Sequence, residues 1–180
     1  MLPIILIAAA VIVGLFLVFI ATRPAEFRVT RTGRINAPAD VVFENVNTLR
    51  KWDAWSPWAK LDPNCKNTFS GPESGPGSVM AWSGNKKVGE GRMTIIESRP
   101  AEFIGIKLEF IKPFPATNET LFTFKPHGDQ TLMTWEMAGR HNFISKIFCT
   151  FMNMDKMVGG QFEQGLGKLK KIVEQVGSKV

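Results

Sequence analysis

From His141 to Val176, apolar side chains return at helical spacing over a longer distance than in any other polar-interrupted part of the chain. Phe143, Ile147, Phe151, Val158, Phe162, Leu166, Leu169, Ile172 or Val173 and Val176 make the stripe. Its steps are three, four and once seven, with Lys156, Gln161, Glu163, Lys168, Lys170 and Glu174 mostly between them. A helix with one apolar stripe has to bury it, so the residues upstream must supply a matching apolar surface. As one unbroken helix the segment would run about 50 Å at about 1.5 Å per residue, longer than a small sheet requires. Gly159 and Gly160 each cost about 1 kcal/mol relative to alanine in a helix. They are the expected place for a bend or for the close approach of another backbone. Two readings follow: a core helix containing two poor helix formers, or a helix whose glycines leave room for a cavity wall.

The surface that the helix needs is written upstream as alternation. In Phe27 to Ile35, Phe27, Val29, Arg31, Gly33 and Ile35 fall on one side, and Arg28, Thr30, Thr32 and Arg34 on the other. Pro38 starts a short helix carrying Val41, Val42, Phe43 and Val46 and ending near Asn47. Leu49 to Leu61 holds Trp52, Trp55 and Trp58. Pro57 disfavours helical geometry at Ser56, so this segment makes one turn and breaks before Trp58, as a hydrophobic plug or as a ligand portal. Further strands are expected at Lys66 to Ser70, Val79 to Ser83, Val88 to Ser98, Glu102 to Phe110, Thr117 to Lys125 and Thr131 to Ala138. Gly71 to Gly77, Gly84-Asn85, Arg99-Pro100 and Pro126 to Asp129 turn the chain between them. The Gly71 to Gly77 loop lacks the lysine and following Ser/Thr of a phosphate loop and precedes a strand, which argues against phosphate cradling. Gly89 and Gly91, on the Met93 face, leave space for a bulge or for something packed on the sheet. With no βαβ repeat, the sheet is expected to be antiparallel, apolar towards the helix and polar towards water.

Leu2 to Ala21 contains no charged and no strongly polar side chain. At helical rise it spans about 30 Å, the hydrocarbon thickness of a bilayer. No basic residue precedes it, its core is long for a signal peptide, and Ala21-Thr22-Arg23-Pro24-Ala25 is a poor cleavage site. Residues 1–22 therefore read as an uncleaved single-pass anchor and residues 23–180 as the domain it carries. Arg23, Arg28, Arg31 and Arg34 against the single Glu26 place that domain on the cytoplasmic side of the inner membrane by the positive-inside tendency.

The 180 residues allow one sizeable core plus this appendage. A net charge of +6 arises from scattered clusters, without the arginine-rich, aromatic-interleaved tract of a nucleic-acid groove. Cys65 and Cys149 read as free thiols, and His127 in a turn and His141 at the start of the long helix have no second ligand at metal spacing. No metal, cofactor or catalytic residue is assigned.

Several segments taken in order carry a resemblance. They are Ile35-Asn36-Ala37-Pro38 with Val41 and Phe43, Lys51-Trp52 with Trp55-Ser56-Pro57-Trp58, and the Gly75 and Gly77 loop. Trp82-Ser83-Gly84-Asn85 with Gly89 and Gly91, and Phe162 with Gly165-Leu166 and Leu169-Lys170, complete the set. Over residues 27–176 the chain resembles the START-like (SRPBCC) superfamily of polyketide cyclase/dehydrase and lipid-transport proteins, and more narrowly its bacterial members with a hydrophobic N-terminal segment. The resemblance implies an α+β helix-grip fold, a curved seven-stranded antiparallel sheet around a long C-terminal helix, enclosing a cavity for hydrophobic or amphipathic molecules. Trp55, Trp82, Met93, Ile106, Leu108, Phe122, Phe124, Met133, Trp135, Phe151 and Phe162 are the expected lining. The oxygenase iron ligands of some relatives have no counterpart here. The polar groups used by cyclase members reduce to Glu90 and Arg92, which strand parity points outward, so binding is favoured over turnover. The expected partner is a hydrophobic small molecule or lipid, with residues 2–21 in the membrane. A cyclase- or dehydratase-like enzyme and a non-catalytic protein-interaction module, its cavity filled by Trp and Phe, are the alternatives.

Overall fold

Alternation along Phe27 to Ile35 becomes strand β1 (Glu26–Ile35), in which Val29 and Ile35 are buried and Arg28, Thr30, Thr32 and Arg34 exposed. The computed structural model describes residues 1–177, and side chains as far as Gln175. It begins with α1 (Leu2–Thr22), and β1 leads into α2 (Ala39–Asn47). A 3-10 turn (Leu49–Lys51) and a one-turn helix α3 (Trp52–Trp55) follow. The remaining strands are β2 (Lys66–Ser70), β3 (Val79–Ser83), β4 (Glu90–Arg99), β5 (Phe103–Lys112), β6 (Ala116–His127) and β7 (Gln130–Arg140). They form one seven-stranded sheet in the order β1-β7-β6-β5-β4-β3-β2, antiparallel at every pairing. This is the helix-grip arrangement: each hairpin delivers the next strand to the growing edge, while β1 closes on β7 at the other side.

Register places the inner face in cross-strand rows. Arg31, Trp135, Phe122 and Ile104 make one row. Val29, Met137, Thr120, Ile106 and Ile95 make the next, and Phe27, Gly139, Asn118, Leu108, Met93, Met80 and Phe69 the third. Polar groups on the outer face pair with one another, Arg92 with Glu109 and Lys112 with Glu90. β4 carries a bulge between Ile95 and Glu97, which puts Ile96 outside, 53% exposed, and adds twist to the sheet.

The C-terminal segment differs from one long helix. It forms α4 (Phe143–Phe151) and α5 (Met154–Gly177), separated by Met152 and Asn153. The break falls inside the single seven-residue step of the stripe, from Phe151 to Val158, where helical phase is carried by no apolar residue. Each helix has its own start: Asn142 Oδ1 accepts from Ser145 N at 2.8 Å and Asn153 Oδ1 from Lys156 N at 3.0 Å, as asparagine at an N-cap does. Val176 lies in the last turn of α5, and its side chain falls outside those described.

Gly159 and Gly160 are therefore not the bend. Both lie within α5, and they differ. A Cβ on Gly160 would meet nothing within 4 Å, whereas one on Gly159 would lie 2.0 Å from Arg31 Nη2. Gly159 is thus a close-approach site: it admits the Arg31 guanidinium under α5, where Nε reaches Glu163 at 2.7 Å and Nη1 reaches Asp155 at 2.9 Å. Gly160 walls no cavity. We expect Gly160→Ala to stabilise the domain by up to about 1 kcal/mol of helix propensity, and so to raise the melting temperature. Gly159→Ala will not, because the same gain is offset by displacing Arg31 from both carboxylates. In an Arg31→Ala background the two substitutions should become equivalent, which a double-mutant cycle in thermal melts checks.

Candidate functional site

The predicted plug of indoles closes one half of the space between sheet and helix. Trp52 and Trp55 are buried and donate their indole N–H to backbone carbonyls, Trp52 Nε1 to Val46 O at 2.8 Å and Trp55 Nε1 to Asn45 O at 3.2 Å. Satisfying these donors lets both rings enter an apolar region without an unpaired N–H. Trp55 and Trp58 each meet Trp135 edge to face, at 5.6 and 5.9 Å between centroids. Trp135 in turn stacks on Phe162 of α5 at 4.1 Å and 8°. Gly165, one turn farther along α5, makes that contact possible, since a Cβ there would lie 2.7 Å from the Trp135 ring.

Of the residues expected to line a cavity, Trp55, Phe122, Phe124, Met133, Trp135, Phe162 and Ile106 belong to this packed half, all buried. Trp82, Met93 and Leu108 lie in the other half, together with Met80 and Phe110. Here Met93 is at the edge of burial, and Trp82, Leu108, Met80 and Phe110 are half-buried. α5 packs chiefly over β1, and α2 over β5, β6 and β7, so the helices cover the first two rows better than the third. Phe151 is the exception to the expected set and corrects it. Its side chain is 75% exposed at the end of α4, with its ring 6.3 Å from Phe16 of α1, away from the sheet face. The break at Met152–Asn153 turns it there.

The glycine space on the Met93 face is occupied by Trp82. Its ring lies over Gly91, where a Cβ would come within 2.4 Å of it and within 2.5 Å of Glu109 O. Trp82 Nε1 donates to Val88 O at 3.0 Å, so the indole is held from both ends. Sequence reasoning missed two polar residues of the inner rows, Asn118 and Thr120, both buried. Counting back by twos from Phe124 and Phe122 finds them. Thr120 Oγ1 and Trp135 Nε1 are buried without a hydrogen-bond partner among the described residues, and a buried polar atom left unpaired is costly.

Titratable groups lie elsewhere. Arg31 is the only charged strand residue on the inner face among the described residues, and Asp155 and Glu163 neutralise it; the Arg31 hydrogen bond in turn holds Asp155 below the usual carboxylate range. On the outer face Arg92, and secondarily Lys107, hold the Glu109 carboxyl at about 2, from an ordinary 4.5. A depressed carboxylate adds stability above its unfolded pKa, and that contribution is lost as pH falls through the folded one. Acid melts should therefore show wild type losing this contribution between pH 4.5 and about 2, with Glu109→Gln flatter across the same window.

Two open grooves complete the surface. One, of about 600 Å³, crosses the outer face, with Glu26, Arg28, Lys107, Glu119 and Arg140 in its walls. The other, of about 580 Å³, lies between Arg23-Pro24 and α4 and includes His141, Lys146 and Cys149. His141 stacks on Phe27 at 4.6 Å; burial, and secondarily Lys146, push its pKa down. Cys65 and Cys149 are free thiols, and among the described residues no His/Cys/Asp/Glu group has metal-binding geometry.

Comparison with known proteins agrees with this architecture. Protein CV1439 from Chromobacterium violaceum superposes with a TM-score of 0.56 at 17% identity, covering 84% of this chain and 99% of its own. The Aha1 protein from Colwellia psychrerythraea, solved as a dimer, gives 0.59 at 14%, covering 82% and 96%. Protein MLL2253 from Mesorhizobium loti gives 0.59 at 14%, covering 83% and 98%. At such identities the likeness is one of fold. A search of curated proteins finds no match. The sequence model described as "Polyketide cyclase / dehydrase and lipid transport" matches residues 26–174, the whole of the sheet and nearly all of α5, and the chain belongs to that family.

Proposed function

We propose that this protein binds a hydrophobic or lipid-like small molecule on the inner face of its sheet, while α1 anchors it in a membrane. Family and fold support a general lipid- or ligand-binding role. The observation that carries the finer reading is the half-open row around Met80, Trp82, Met93, Leu108 and Phe110. It is an apolar wall with one polar group in its own row, Asn118, and a second, Thr120, in the buried row beside it, the few polar groups that orient a ligand in sites of this kind. Thr120 Oγ1, buried and unpartnered, would accept or donate one hydrogen bond to a ligand's polar end. The space is proposed to lie between that row and α5, with the indole plug as its closed end and residues 23–180 as the binding domain.

The anchor reading rests on α1, 21 residues long, with a mean hydropathy of 3.3 and almost wholly exposed. Surface that apolar on every face is stable in hydrocarbon and not in water. The arginines just after it support a cytoplasmic position for the domain, at the inner membrane.

A cyclase- or dehydratase-like role is less well supported, since Glu90 and Arg92 face outward and are engaged by Lys112 and Glu109. Native mass spectrometry of the full chain extracted in detergent, followed by a panel of lipids and fatty acids, tests the binding role. Co-purified or added apolar ligand bound one to one is the expected result. Protein that is repeatedly empty and binds none of the panel would overturn it.

A further inference from the structure

Helix α4 wears its amphipathicity inside out. At about 100° per residue, Phe143, Ile144, Ile147, Phe148 and Phe151 share one arc, and Ser145, Lys146, Cys149 and Thr150 the opposite one. A helix on a water-soluble domain turns its apolar arc to the core. Here Phe143, Ile144, Phe148 and Phe151 are 45%, 55%, 52% and 75% exposed, while all four polar residues are half-buried. The polar side meets the rest of the chain: Lys146 Nζ donates to Ala21 O at 3.2 Å and Cys149 Sγ lies 3.8 Å from His141 Nδ1, while Thr150 Oγ1 is satisfied within α4 by Lys146 O at 2.8 Å. Exposed apolar surface continues beyond the helix. The Phe148 ring is 6.1 Å from that of Phe114 in the β5–β6 turn, and Phe114 and Ile111 are more than half exposed.

What covers this surface is indicated by its neighbour. Lys146 touches Ala21 and Phe151 touches Phe16, so five residues forward along α4 correspond to five back along α1. The two helices run antiparallel side by side. Phe16 lies about 9 Å before the end of α1 at helical rise, which sets Phe151 level with acyl chains if α1 spans a bilayer. Arg23, whose guanidinium lies over the Phe19 ring at 5.2 Å, occupies the headgroup level at that same end.

We propose that α4 and the β5–β6 turn form a second membrane contact, their apolar face inserted into the bilayer beside the end of α1. The occupant is lipid, and the proposal rests on the reading of α1 as a span. An interfacial amphipathic helix of this kind buries its apolar face at the boundary between headgroups and acyl chains. It holds the domain at one tilt instead of leaving it tethered by the short Arg23–Ala25 link. Phe110, at the half-open end of the inner face, immediately precedes the exposed Ile111 of β5, two residues before the inserted turn, so the proposed ligand row opens beside the lipid.

Depth-dependent quenching in the full chain tests this. In a Cys65→Ser/Cys149→Ala background, single cysteines replace Phe151, Ile12 or Lys87 and carry an environment-sensitive fluorophore. The protein is reconstituted into phosphatidylethanolamine/phosphatidylglycerol vesicles containing doxyl lipids, and near-UV circular dichroism of the tryptophans verifies the fold of each variant. Expected is strong quenching of the label at 12 by the deep doxyl. The label at 151 should lose most of its emission to the shallow doxyl and be shielded from aqueous iodide, and the one at 87 should respond to iodide alone. A label at 151 behaving like that at 87, with 12 still quenched, overturns the second contact and leaves the anchor standing. Shielding of 151 from iodide without doxyl quenching assigns the face to protein, a second copy included, and also overturns it. If 12 is unquenched too, the anchor reading fails and the proposal with it.

Discussion

Replacing Trp135 with alanine is expected to destabilise the domain by about 3–5 kcal/mol, the range for truncating a buried aromatic in a core that cannot collapse onto the void. Trp135 is 2% exposed and its ring touches those of Trp52, Trp55, Trp58, Phe122 and Phe162. These partners come from three separate parts of the chain: the α3 segment, β6 and α5. Three of them are fixed by something other than Trp135, Trp52 and Trp55 by backbone carbonyls and Phe122 by the sheet, so little relaxation is available on that side. Thermal or urea denaturation measures the loss. Trp135→Phe should recover a large part of it, because it keeps the stack on Phe162 and removes an indole N–H that has no partner. A Trp135→Ala protein within about 1 kcal/mol of wild type would show that the plug is loosely packed and that the closed half of the interior is room for a ligand.

Gly91→Ala is expected to cost about 1–3 kcal/mol by overpacking and, beyond that, to alter the candidate site. A methyl group there meets Trp82 on one side and the backbone oxygen of Glu109 on the other. The oxygen belongs to the neighbouring strand and cannot yield without disturbing the β4–β5 pairing, so the Trp82 ring must move. That ring is tied to Val88 O and half-covers the open row. Swinging it out should loosen the β3–β4 hairpin and change the uptake of an apolar fluorescent probe, read together with the melting temperature. Gly128→Ala serves as the comparison for a glycine with free space, where the only penalty is its φ of +65°. Lower stability with unchanged probe uptake would place the ligand away from Trp82. Unchanged stability would contradict the packing itself.

Periodicity made much of this architecture readable in advance. The two-residue alternation of β1 and β7 and the stop at Pro57 are local consequences of backbone geometry, and the strands, the antiparallel sheet and the indole turn appear close to where they are expected, although β6 runs on through Pro126 and His127, where a turn is expected. The run from Leu2 to Ala21 is legible for the same reason, as it needs only its own composition to be recognised as a helix without a water-facing side. What period and composition cannot report is which surface covers an apolar stripe. The stripe in α4 reads like the stripe in α5, yet α5 turns its apolar side to the sheet and α4 turns its own outward, a difference set by where Met152–Asn153 breaks the helix. The same break carried Phe151 from the expected lining to the side of α1. Gly159 and Gly160 are indistinguishable as letters, and only the arrival of Arg31 from β1, over a hundred residues away in sequence, makes one a necessity and leaves the other free. The interior likewise required the tertiary structure. Strand parity names the residues facing inward, but whether they enclose space or fill it depends on ring-to-ring distances between segments that meet only when the sheet has closed around the helix.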